Sequence, residues 1–190
     1  SLEMLENYNP CFVLDLTATP KKESNIISYV DAVQLKNEHM VKLPVIVYNR
    51  DSQSEVLIDA IDLRNKLEEI ASAEYAKTGK YIRPIALFQA QPKGKEDATT
   101  FEKLRDKLVD AGIPAEQIAI RTADVNELKN VELMSLSCPI RYIITVNALK
   151  EGWDCPFAYI LASLANKTSQ VDVEQILGRI LRLPHTSQHT

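Results

Sequence analysis

Ile140-Arg-Tyr-Ile-Ile-Thr-Val-Asn-Ala-Leu-Lys-Glu-Gly-Trp-Asp-Cys-Pro156 is the segment whose reading decides the fold. Its first part is dense in β-branched and aromatic residues and predicts a buried strand over 140–146, whereas Gly152 and Pro156 punctuate a loop after it. A buried strand that opens into a polar loop at its carboxyl end is a building unit of open α/β sheets, and that end is where such sheets place ligands. Working outward, Ile85 to Gln89, Ile118 to Arg121 and Tyr159 to Leu164 read as further strands. Thr99 to Asp110, ending at Gly112, and Val171 to Leu183 read as helices. Apolar strands alternating with helices predict an α/β fold: a mostly parallel sheet with helices on both faces.

Upstream, Leu57, Ile61, Leu67, Ile70 and Ala71 recur at near-helical spacing, which predicts one amphipathic helix over 55–77 with Ser54 as N-cap and Gly79 just past its end. Cys11 to Leu16 is an apolar run expected to form a buried strand that stops at Thr17-Ala-Thr-Pro20. Ile26 to Leu35 and Leu43 to Tyr48 are further strand candidates within a connecting region over 21–50. The expected organisation is a first segment over 1–50, a long helix within 51–80 and an α/β domain over 81–190.

Of the 190 residues 45% are hydrophobic and 25% charged, a profile that fits a globular protein with a sizeable core. No apolar run approaches the roughly 20 residues that span a bilayer, so a cytoplasmic protein with no membrane partner is expected. Cys11, Cys138 and Cys155 are scattered, and neither a disulfide framework nor a metal site is expected. A net charge of −4 argues against coating of nucleic acid by bulk electrostatics and leaves room for a local basic face, so any such contact must be positional.

Two segments carry chemistry. In Gln175-Ile-Leu-Gly-Arg-Ile-Leu-Arg182, a helix of about 100° per residue places Gln175, Arg179 and Arg182 within an arc of about 60°, opposite Val173, Ile176, Leu177, Ile180 and Leu181. Two guanidiniums one turn apart suit a polyphosphate, and Gly178 beside them permits close approach. A solvated basic helix face is the alternative. In Thr145 to Pro156, a hydroxyl at a strand end suits a nucleic-acid phosphate, and Gly152 permits a tight turn that aims Asp154 at a ribose hydroxyl. An ordinary loop, with Trp153 as a packing residue, is the alternative there. Trp153 and Cys155 read as structural, and Pro92-Lys-Gly-Lys-Glu-Asp97 as a solvated loop.

Taken in order, these segments resemble the superfamily-two helicases: Leu16-Thr-Ala-Thr-Pro20 their motif III, Ile85-Ala-Leu-Phe-Gln89 motif IV, Asn147 to Pro156 motif V and Gln175 to Arg182 motif VI. The wording Lys150-Glu-Gly-Trp-Asp-Cys-Pro156, followed by Gln175 to Pro184, is most similar to the restriction subunit (Res) of type III restriction enzymes. The resemblance implies a RecA-like second motor domain preceded by a fragment of the first. It implies that Arg179 and Arg182 contact the γ-phosphate as catalytic groups, with Gln175 and Gly178 nearby and Gly152 and Asp154 at the nucleotide ribose. Thr145 and Asn147 would then face the DNA backbone, and Thr17 with Thr19 would couple nucleotide state to DNA grip.

No G-x-x-x-x-G-K-[ST] loop and no Asp-Glu dipeptide occur in the chain. The family's ATP and Mg2+ therefore belong to a parent protein and would not be held fully by these residues, and the chain alone is expected not to hydrolyse ATP. Expected partners are DNA, the first motor domain and a modification methyltransferase subunit; no nuclease motif is visible, so cleavage is not assigned. Two alternatives stay open: a superfamily-two member acting on RNA or in DNA repair, and a non-catalytic regulatory or protein-interaction module.

Overall fold

Four parallel strands form the centre of the structure: β1 (Ile85–Gln89), β2 (Ile118–Arg121), β3 (Tyr142–Thr145) and β4 (Ala158–Ser163), in the order β2-β3-β1-β4. Among the described residues the helices α1 (Ala32–Asn37), α2 (Gln53–Thr78) and α3 (Phe101–Asp110) accompany them. This computed structural model describes residues 7–9, 11–12, 14, 25–38, 40–42, 45–46, 48, 50–92, 99–146, 155–164 and 180–184. The chain divides into two compact units, Ser1–Val30 and Asp31–Thr190. The α/β class expected from the sequence is the class observed, and an all-parallel sheet with helices is consistent with a RecA-like fold.

Alternation along the strands builds two cores, one on each face. One face gathers Ala86, Phe88, Ile118, Ile120, Tyr142, Ile144, Ile160 and Ala162 under Leu57 and Ala60 of α2 and Leu104 and Leu108 of α3. The other gathers Ile85, Leu87, Ala119, Ile143 and Ala158 with Leu128, Cys138, Ile140, Cys155, Phe157 and Ile180. Strands buried on both faces need continuous apolar runs, which is why their sequences show no polar alternation.

The helices end where local chemistry stops them. In α2 the Ser52 side chain accepts from the Glu55 amide, and Gly79 at φ 71° closes the far end. The cap is therefore Ser52 and not Ser54; Ser52-x-x-Glu55 has the capping-box spacing, which Ser54 lacks. The buried stripe of α2 runs through Leu57, Ala60, Arg64 and Ala71, while Ile70 faces outward.

The strand expected over Ile26 to Leu35 is not formed: Ile26, Ile27, Tyr29 and Val30 are exposed and lie in no strand. In the other two stretches the described residues, Cys11, Phe12 and Leu14 and then Val45, Ile46 and Tyr48, are likewise exposed and outside any strand, while residues 13, 15–16, 43–44 and 47 lie outside the described residues. An apolar run becomes a strand where neighbouring strands complete its backbone hydrogen bonds, and the strands described here all lie within 85–163. Residues 32–37 are helical: Asp31 Oδ1 accepts from the Gln34 amide at 2.7 Å and Gln34 Oε1 from the Asp31 amide at 3.0 Å, a reciprocal cap.

The carboxyl-terminal helix also stops early. Ile180 is helical, but Leu181 and Leu183 are not, and Arg182 forms an antiparallel bridge with Val41. Pro184 has no N–H to return to the Ile180 carbonyl, so continuation would lose that bond. Lys42 supplies it instead, its Nζ donating to the carbonyls of Ile180 at 2.7 Å and Ala158 at 2.8 Å while lying 4.2 Å from the Tyr159 ring centre. The Lys42 amide donates to Leu181 O and the Leu183 amide to Met40 O, so residues 40–42 and 181–183 clasp each other.

Candidate functional site

One register row crosses the carboxyl edge of the sheet. Arg121 pairs with Thr145, Thr145 with Gln89, and Gln89 with Ser163, so the last residue of each strand lies in line with the others. Each follows the alternation of Ala119, Ile143, Leu87 and Leu161, which places all four on the face that carries Ile180. The row is thus the polar rim of an apolar core.

Two of these side chains are engaged with each other, since Ser163 Oγ donates to Gln89 Oε1 at 2.9 Å. The other two carry desolvated atoms with no hydrogen-bond partner: Thr145 Oγ1, on a residue 1% exposed, and Arg121 Nε. Thr145 is fixed by its ladder, and its carbonyl accepts from the Ala90 amide at 2.7 Å. Glu127, the acid beside β2, is occupied: Oε2 accepts from the Ile120 amide and Oε1 from Arg105 Nη1. By taking up the Ile120 amide it blunts the edge of β2.

The chain leaving β1 is held by buried amides. Gln91 Nε2 donates to Leu164 O at 2.9 Å, its Oε1 accepts from the Thr99 amide at 2.8 Å, and Thr99 Oγ1 donates to Gln53 Oε1 at 2.7 Å. These bonds tie α2, the exit of β1 and the exit of β4 together, and rigid support of this kind is what a site at strand ends requires.

At the opposite, amino edge two arginines are buried for structural reasons. Arg83 donates to the carbonyls of Ile140, Ser135 and Leu133, which shapes the segment leading into β3. Arg64 pairs with Glu68, which also accepts from Arg141 Nε at 2.8 Å, and the Arg64 guanidinium lies 5.3 Å from the Tyr142 ring centre. Burial pushes the Tyr142 phenol above its ordinary value, with Arg64 acting in the opposite direction, and burial raises Tyr159 likewise.

Of the residues singled out from sequence, Thr145 sits in the carboxyl-edge row, and Arg182 is exposed in the clasp with Val41, off the helix on which it was expected. The shared arc of Gln175, Arg179 and Arg182 therefore does not extend to Arg182. Thr17, Thr19, Asn147, Gly152, Asp154, Gln175, Gly178 and Arg179 lie outside the described residues. Sequence reading missed Arg121, Ser163 and Lys42 as site-forming groups. A signal for Arg121 is present, because the apolar run Ile118 to Arg121 closes on a hydrogen-bonding side chain; the run Tyr159 to Leu164 closes on leucine and does not mark Ser163. Among the described residues no group of three or more His, Cys, Asp or Glu is placed to hold a metal ion, and no helix is long and apolar enough to cross a membrane. Comparison of the chain with protein-family models, curated proteins and solved structures finds no match.

Proposed function

We propose that this chain is the carboxy-terminal motor half of an ATP-driven, cytoplasmic DNA helicase or translocase, of the kind found as the restriction subunit of type III systems. The observation that carries the reading is Thr145: the hydroxyl that the motif order assigns to a nucleic-acid backbone stands desolvated and unpartnered at the carboxyl edge of a parallel sheet. The apolar core beneath it holds Ile180 of the Gln175 to Arg182 segment and Cys155 of the Asn147 to Pro156 segment, which supports the reading.

In this reading DNA lies across the carboxyl edge and ATP is shared with a first motor domain, to which Arg179 contributes an arginine finger and Gln175, Gly152 and Asp154 further nucleotide contacts. A finger of this kind contributes roughly 10³ to 10⁵ in rate to phosphoryl transfer. Arg182, exposed in the clasp, is placed by β-type pairing rather than by the helix. With neither a phosphate-cradling loop nor an Asp-Glu pair in the chain, it binds DNA and does not turn over ATP.

The test is a salt titration of labelled DNA binding to the purified chain, with ATPase measured in parallel. Weak binding with a small salt slope and no turnover above background is expected, because a chain of net charge −4 neutralises few phosphates. Robust DNA-stimulated hydrolysis, or no DNA binding at low salt, contradicts the proposal.

A further inference from the structure

Arg121 and Thr145 are register partners on adjacent parallel strands, so their backbones lie about 4.8 Å apart and their side chains leave the same face. Arg121 Nε and Thr145 Oγ1 are both buried donors without a partner. Buried polar groups are almost always satisfied, and two neighbouring exceptions aimed along one face point to a shared acceptor. Gln89 and Ser163, which complete the row, already bond each other. Glu127, which follows the adjoining turn, has both carboxylate oxygens engaged by Arg105 and the Ile120 amide and makes no ion pair with Arg121.

We propose that Arg121 and Thr145 together form one oxyanion site that takes a single phosphodiester of a nucleic-acid strand. Arg121 supplies the charge, and the Thr145 hydroxyl supplies a second donor. Charge matching selects the ligand: one guanidinium balances the single negative charge of a phosphodiester, whereas free phosphate near neutrality or a nucleotide tail carries more charge than this pair offsets. The site rests on the nucleic-acid reading above and adds to it a cation that no motif of the sequence marks.

The test compares binding of a short labelled oligothymidylate to the wild-type chain and to Arg121→Gln, Arg121→Lys and Thr145→Val across a salt series, with thermal melts to establish that each variant folds. Arg121→Gln is expected to weaken binding about tenfold or more and to lower the magnitude of the salt slope by about 0.7, the loss of one neutralised phosphate on a single strand. Arg121→Lys is expected to restore the slope but not the full affinity, because an ammonium keeps the charge and loses the paired donors. Thr145→Val is expected to weaken binding with the slope unchanged. Binding by the wild type that is indifferent to Arg121→Gln overturns the site and leaves the nucleic-acid reading standing, whereas no binding by the wild type overturns both. Displacement of the oligomer by inorganic phosphate, but not by sulfate at equal ionic strength, overturns the phosphodiester assignment in favour of the free anion.

Discussion

Replacing Thr145 by valine is expected to make the protein more stable. The substitution keeps the branched Cβ, so strand propensity and χ1 preference hardly change, and it exchanges a buried hydroxyl for a methyl group. Thr145 is 1% exposed and its Oγ1 has no hydrogen-bond partner. A buried unsatisfied polar group costs about 1–3 kcal/mol, a cost the valine removes, and the shape of the site is nearly conserved. Taking the lower half of that range, about 1–2 kcal/mol, a chain of 190 residues should gain about 2–8 °C in melting temperature. Thr99→Val is the matched control with the opposite sign. Its hydroxyl donates to Gln53 Oε1 at 2.7 Å, so the same chemistry should cost about 1 kcal/mol. The assay is urea and thermal unfolding of both variants, with the m-value compared to confirm that the transition itself is unchanged. A loss of more than about 1 kcal/mol in Thr145→Val would show that the hydroxyl is already satisfied in the folded chain, and the argument for an open donor at this edge would fall.

Lys42→Met removes the two charge-assisted bonds that hold the Ile180 and Ala158 carbonyls. It should cost about 2 kcal/mol and speed amide exchange at Leu183, whose N–H reaches Met40 O in the same clasp; unchanged protection there would mean that the clasp does not depend on Lys42. Tyr142 and Tyr159 hold their protons more tightly in the folded state than in the unfolded chain, where the phenol value is 10.0. Their contribution is therefore complete below about pH 10 and lost as pH rises through the raised folded values, so melting temperature should fall in that range and fall less in Tyr142→Phe. A difference in tyrosinate absorbance between the wild type and Tyr142→Phe that develops at the ordinary phenol value in the still-folded protein contradicts this.

The strands of the sheet were legible because burial on both faces demands uninterrupted apolar residues, and Ile85–Gln89 and Ile118–Arg121 match their sequence boundaries. The same rule misleads at Ile26 to Leu35, where apolar density has no pairing partner among the described strands. There a local signal, Asp31-x-x-Gln34, marks a helix start. Burial of Arg64 and Arg83 was not legible at all, since it depends on Glu68 and on carbonyls about fifty residues away in sequence. At the site, Thr145 was found from its place at a strand end. Arg121 was not, because its significance comes from register with Thr145, and register is a property of the assembled sheet.

Hydrogen–deuterium exchange of the chain with and without single-stranded DNA tests the central claim most directly, because it reports where the nucleic acid lies. DNA across the carboxyl edge should protect peptides covering Gln89–Gln91, Arg121–Glu127 and Thr145–Val146, and leave the Arg83 and Arg141 segments at the amino edge unchanged. Protection confined to the amino edge, or none under conditions where binding is saturated, would contradict the account.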